Sequence, residues 1–202
     1  MSAPDSALGR ELSAGVVLRA CAADVIEIAA LRGDGAAPAR FAHALVPPLP
    51  ACGRLALRAG GLALAVRPGR WLLLSAPADS GTAAASWQTA VAESAAVIDL
   101  SSALTTLHLA GAAMREMLAR GCRLDLDPEV FTPGTAAATV VAQVSVTLAA
   151  LPAGMLLLTP SSTAQYFEEW LASIGKPFGL ARQAGVTVAS LWDEASLSGK
   201  LN

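Results

Sequence analysis

Charge is what this 202-residue chain has least of. Asp, Glu, Lys and Arg make up 15% of it, where a soluble domain carries about a quarter. A surface so poor in charge points to a face covered by a partner. With 14 Lys and Arg against 16 Asp and Glu, the chain lacks the basic footprint that nucleic acid or an anionic membrane demands. Three cysteines (Cys21, Cys52, Cys122) and two histidines (His43, His108) are spaced too widely for a disulfide framework or a zinc site. Asp5, Arg10 and Glu11 precede any apolar run, so no secretion signal is expected and the cytoplasm is the expected compartment.

What is present is apolar mass. Hydrophobic residues reach 54% and mean hydropathy is +0.52, which excludes disorder and suits one domain or two small lobes sharing a core. Residues 130–166 carry no charge at all, a length that would span a bilayer about 30 Å thick. Periodicity argues against that. Gln143, Ser145 and Thr147 alternate with Ala142, Val144, Val146 and Leu148, the period of a strand. Pro152, Ala153 and Gly154 then turn the chain into MLLLT, giving a buried hairpin with no Lys or Arg anchors.

The remaining pattern predicts a strand over 25–31, a helix over 37–45, three strands within 53–77 and a helix over 82–94. Strands within 95–111, a helix over 112–120, the hairpin and a helix over 163–174 follow. Pro68, Trp71 to Leu74 and Trp87 recur as Pro152, Met155 to Leu158 and Trp170. The expected fold is therefore α+β, two ferredoxin-like β-α-β-β-α halves of the split β-α-β type. Boundaries are expected at 1–23 for an N-terminal segment, 24–95 and 96–180 for the halves, and 181–202 for a tail.

Helix ends are marked. Ser162 with Gln165 fits a capping box, and Phe167, Trp170, Leu171 and Ile174 form an apolar stripe before Gly175 and Pro177. Met114, Met117 and Leu118 form the buried face of the 112–120 helix, Glu116 and Arg120 are set for an i, i+4 pair, and Gly121 is expected at a left-handed C′ position.

Candidate chemistry is thin. Cys122 could be an activated thiol, but it follows a helix C-terminus, where partial negative charge disfavours a thiolate; packing on Met117 is the expected role. Asp125 and Asp127 could share acid/base or hard-metal duty, yet Pro128 follows, and a turn accepting backbone N–H bonds is expected. His108 lies between Leu107 and Leu109 and is expected on the surface or at an interface. Asp99, Ser101 and Ser102 with His108 lack a nucleophile elbow. Gly33, Gly35, Gly60 and Gly61 match no phosphate or dinucleotide loop and read as turns.

The run from Ala95 to Leu148 resembles the gamma subunit of heterotetrameric sarcosine oxidase, most strongly over residues 97–147. The string Gly121, Cys122, Leu124, Asp125, Leu126, Pro128 and Phe131 carries the resemblance, supported by RPGRWLLLSAP and by SSTAQYFEEWLASIGKPFGL. It covers about residues 67–180. The resemblance implies a fold related to the folate-binding aminomethyltransferase domain, in an accessory subunit with no catalytic, cofactor-binding or metal-ligating residue of its own. It further implies alpha, beta and delta partner subunits, of which alpha and beta hold FAD, covalent FMN, NAD and the tetrahydrofolate site. The chain departs from that family's pattern at Leu104, Asp127 and Glu129, where arginine, histidine and a basic residue are usual, which bears on the partner contacts and so on the substrate and makes a related amine or imino-acid oxidase complex the alternative. A free-standing folate-binding module and a thiol enzyme built on Cys122 are the rival readings.

Overall fold

Runs of Val, Ile and Leu broken by glycine and proline set most of the chain into strands. A computed structural model describes residues 15–31, 45, 47–58, 60–79 and 81–191. In chain order the strands are β1 (Val16–Ala22), β2 (Asp24–Ala30), β3 (Arg54–Arg58), β4 (Gly61–Arg67), β5 (Arg70–Ser75), β6 (Ala95–Asp99) and β7 (Leu104–Ala110). They continue as β8 (Ala136–Val141), β9 (Val144–Leu151), β10 (Gly154–Pro160), β11 (Leu180–Arg182) and β12 (Val186–Thr187). Helices α1 (Thr82–Val91), α2 (Met114–Ala119) and α3 (Ser161–Gly175) lie between them. The helix expected over 37–45 and His43 fall outside the described residues, apart from Leu45.

Two sheets result, ordered β11-β1-β7-β10-β9-β8, with β12 also on β1, and β3-β4-β5-β2-β6. The repeat read from the prolines and tryptophans is visible as the same interleaving in both. β5 sits between β2 and β4, and β10 sits between β7 and β9, antiparallel throughout. The fourth place differs. β6, which follows α1, pairs with β2. Beside β7 stands β1, from the stretch expected to be an N-terminal segment, and β11, which follows α3, pairs parallel to β1 instead.

The sheets stack face to face with helices outside, because period-two strands must bury both faces of such apolar sequence. Leu107, Leu109, Leu148, Met155 and Leu157 pack outward on Met117, Leu118, Phe167 and Leu171. Leu151, Leu156 and Leu158 face Leu55, Leu62, Leu64, Leu72 and Leu74 of the other sheet. Beyond that sheet, Ile26, Ile28, Trp71 and Leu73 pack with Leu49 and Val91. The uncharged 130–166 stretch thus supplies β8, β9 and β10, of which β9 and β10 are mostly buried, and among the described residues no helix is long and apolar enough to cross a membrane.

Several local expectations are corrected. The strand expected to run through Ala142 and Gln143 is broken there: both residues have positive φ, 50° and 66°, and form the two-residue turn between β8 and β9 whose hand matches sheet twist. From Val144 onward the alternation holds, with Val144, Val146 and Leu148 buried and Ser145 exposed. The Ser162 and Gln165 capping box does not form. The helix starts two residues earlier, after Pro160, Thr163 donates to the Pro160 carbonyl, and Gln165 donates to Glu169. Arg120 lies over the Phe178 ring, 4.6 Å away, instead of pairing with Glu116.

Candidate functional site

The Gly121 to Phe131 string builds the loop that joins α2 to β8. Gly121 is not left-handed. It is required for space, since a Cβ there would meet the Trp170 ring, which stacks on Phe167 at 6.0 Å. The backbone continues an α-like turn, with both Gly121 and Cys122 N–H groups donating to the Leu118 carbonyl, 3.0 Å each. Cys122 packs, half-buried, on the cluster that contains Met117, and bridges Val141. This is the packing role expected of it.

Asp125 and Asp127 act as turn formers. Asp125 Oδ1 accepts the Asp127 N–H at 2.9 Å and Asp127 Oδ1 accepts the Glu129 N–H at 2.8 Å. Leu126 and Phe131 anchor the loop from below. Sequence reasoning passed over the residue that holds it. Arg115, on α2, donates to the carbonyls of Leu126 (2.6 Å) and Phe131 (3.0 Å). Burial lowers the affinity of its guanidinium for the proton and the Asp127 charge opposes that shift. An arginine in the first turn of a helix gives no sequence sign that two distant carbonyls are its partners. The loop therefore presents Asp125, Asp127, Glu129 and the exposed Val130 outward on a rigid base. That arrangement suits contact with another surface, and no hydrogen-bonded nucleophile and base occur within it.

The other candidates are dispersed. His108 is a correction: it is 1% exposed, and neither ring nitrogen has a hydrogen-bond partner. Strand alternation does turn it away from Leu107 and Leu109, but that face is covered by the second sheet. Burial, helped by the Arg19 charge opposite it on β1, lowers its pKa to about 4. Ser101 is engaged elsewhere, accepting the Val25 N–H, while its own N–H donates to Asp99. Hydrogen bonds from the Ser101 hydroxyl and from its backbone N–H hold the Asp99 carboxyl below its ordinary pKa. Asp99, Ser101 and His108 are therefore not a hydrogen-bonded triad. Cys21 is buried and its thiol is pushed up to about 12 by desolvation, whereas Cys52 is exposed. Among the described residues no three His, Cys, Asp or Glu side chains cluster in a way that could hold a metal ion.

No curated protein matches the chain. Among solved structures it is similar to a chain of heterotetrameric sarcosine oxidase from Corynebacterium sp. U-96, determined in complex with pyrrole 2-carboxylate. Identity is 26%, covering 84% of this chain and 88% of that one, with a TM-score of 0.70. Glycine cleavage system aminomethyltransferase T from Bartonella henselae shares the fold, at 15% identity and a TM-score of 0.60. All of this chain matches 56% of that one. Residues 32–175 match the sarcosine oxidase gamma subunit family, a span that takes in the β3 to α3 framework and the whole Arg115-stapled loop. The chain belongs to the sarcosine oxidase gamma subunit family.

Proposed function

We propose that the chain is a noncatalytic gamma-type subunit of a multi-subunit flavin-dependent oxidase. The complex oxidatively demethylates sarcosine or a related N-methyl amino acid and passes the one-carbon unit to tetrahydrofolate. Alpha, beta and delta subunits are its partners in the cytoplasm, and the alpha and beta subunits hold FAD, FMN, NAD and tetrahydrofolate. The observation that carries this reading is the family match over residues 32–175, joined to a likeness that spans most of both chains in a heterotetrameric sarcosine oxidase. The dispersal of Cys122, His108 and Asp99 to separate structural duties supports an accessory role, and the low charge content supports a partner-covered face.

Co-expression with the other oxidase subunits, followed by purification through a tag on this chain, tests the proposal. The expected product is a yellow complex that turns over sarcosine, while the chain purified alone shows no flavin band. Its melting temperature rises on adding partner subunits, as mass action requires when only the folded state binds. A flavin band in the isolated chain, or a melting temperature indifferent to partners, overturns the reading.

A further inference from the structure

β8 ends the seven-stranded sheet, and its two ends are tied down while its middle is not. The Ala136 N–H donates to Gly53 O at 2.9 Å and the Ala142 N–H to Gly121 O at 3.1 Å. Ala136 thus bonds away from β9, and by strand alternation the main-chain groups of Ala138 and the N–H of Val140 point the same way, up to the bridge that ties Val141 to Cys122. Edges of this kind are ordinarily blunted by lysine, proline or a bulge. Here the strand is AAATVV, with Ala138 and Val140 exposed.

Beside that edge, the inner face of the sheet runs beyond the cover of its neighbour. Two adjoining hollows of about 200 and 480 Å³ share Arg67, Leu104, Ala138 and Thr147. The floor is uncharged, built from Leu104, Ala138, Val140, Ser145, Thr147 and Leu158. The rim is not. Arg70 is paired with Glu27, which leaves exposed Arg67 and Arg123 with no ion pair or hydrogen bond among the described residues. In a chain whose acidic residues outnumber its basic ones, two uncompensated guanidinium groups flanking an apolar groove and an open strand edge form a matched set.

We propose that this groove receives an extended, carboxylate-bearing segment of a partner subunit. It adds to the edge of β8 through main-chain hydrogen bonds and sets its acidic side chains on Arg67 and Arg123. The inference rests on the subunit reading above and assigns the face by which the chain docks. Strand addition supplies the affinity from the backbone, the small floor residues admit apolar side chains, and the arginines fix register by bidentate carboxylate pairing.

The test uses the co-expressed complex and titration of the purified chain with its partner subunits. Arg67→Glu with Arg123→Glu is expected to weaken binding about tenfold or more and to remove the salt dependence that the wild-type chain shows. Ala138→Pro removes an outward N–H without touching charge, and edge strands tolerate proline; it is expected to weaken binding by about fivefold or more. Lys176→Glu, at the end of α3 on the opposite face of the sheet, is expected to change nothing. Melting temperatures of the variants alone verify folding, and Arg67→Gln with Arg123→Gln replaces the reversal if that pair does not fold. Binding of either arginine pair or of Ala138→Pro within twofold of wild type overturns the docking proposal alone. Loss of self-association in the arginine variant, in place of loss of partner binding, assigns the groove to a second copy and also overturns it. A wild-type chain that never joins the oxidase overturns the subunit reading itself.

Discussion

The two halves share an order of elements and differ in how firmly their helices are fixed. α3 runs for 15 residues and buries Ala164, Phe167, Leu171 and Gly175 against the seven-stranded sheet. α1 runs for 10 residues and buries only Val91. It begins after a left-handed Gly81 with no side-chain cap and ends at Ala92, whose φ is 49°. The reason lies in the sheets beneath. Ala63 and Ala65 give α1 little to grip, and the outer layer is completed by Leu49 and by Trp71, whose indole N–H donates to the Pro50 carbonyl at 2.9 Å. One supersecondary order thus supports a self-sufficient core on one side and a borrowed one on the other.

The largest effect expected from this contrast is at Phe167, fully buried and stacked with Trp170. Phe167→Ala should cost about 3–5 kcal/mol, the usual range for emptying an aromatic site that cannot collapse. Val91→Ala, the corresponding truncation under α1, should cost about 2 kcal/mol. Urea unfolding of both variants measures the ratio. Equal losses would break the comparison and show α1 to be as deeply anchored as α3.

The layer between the sheets gives the next effect, through pH. His108 titrates near 4 in the folded chain against 6.5 for an ordinary histidine, so below pH 6.5 the unfolded state binds the proton first. Stability is then complete above pH 6.5 and falls as the pH drops toward 4, by about 3 kcal/mol in all. The charge facing the ring is Arg19 of β1, which opposes protonation as burial does. His108→Gln should flatten the slope between pH 6.5 and 4. An unchanged slope would place the titration elsewhere.

The same layer marks the limit of what the sequence discloses. The α3 stripe, the β9 to β10 hairpin and the repeat of Trp-bearing helices were legible because each is local, carried by spacing within about 20 residues. His108 was not. Alternation places it opposite Leu107 and Leu109, but whether that face meets water depends on a second sheet built from β2 to β6. β1 was missed for a related cause: it pairs with β7, some 90 residues away, and with β11, which is three residues long. The turn at Ala142 and Gln143 carries no glycine or asparagine to announce it. In the stapled loop, the two aspartates were read correctly because an Asx turn is a local bond. Arg115 was not, because its carbonyl partners lie 11 and 16 residues on.

A smaller effect separates packing from catalysis on the seven-stranded side. Cys122→Ala trims a half-buried side chain next to the Met117 cluster, so stability should fall by about 1 kcal/mol while sarcosine turnover of the reconstituted complex stays nearly intact. Loss of turnover with unchanged melting and unchanged assembly would make Cys122 a catalytic group and reverse the accessory assignment.

The smallest effect has the opposite sign. Ala142 and Gln143 both hold left-handed φ, 50° and 66°, in the turn that fixes the register of β8 on β9. An L-residue costs about 1–2 kcal/mol there, whereas glycine is free of that strain but loses about 0.4–1 kcal/mol to the greater freedom of the unfolded chain. Gln143→Gly should therefore stabilise the protein by about 0.5 kcal/mol, and the exposed Gln143 side chain gives up no buried contact. Because Ala138 and Val140 lie on this hairpin, the substitution also tests whether their outward edge is held by the turn. A more stable chain with unaltered partner affinity means that the ties to Gly53 and Gly121 suffice. A stability loss on introducing glycine would show that the turn is not left-handed in solution and that the β8 register is set elsewhere.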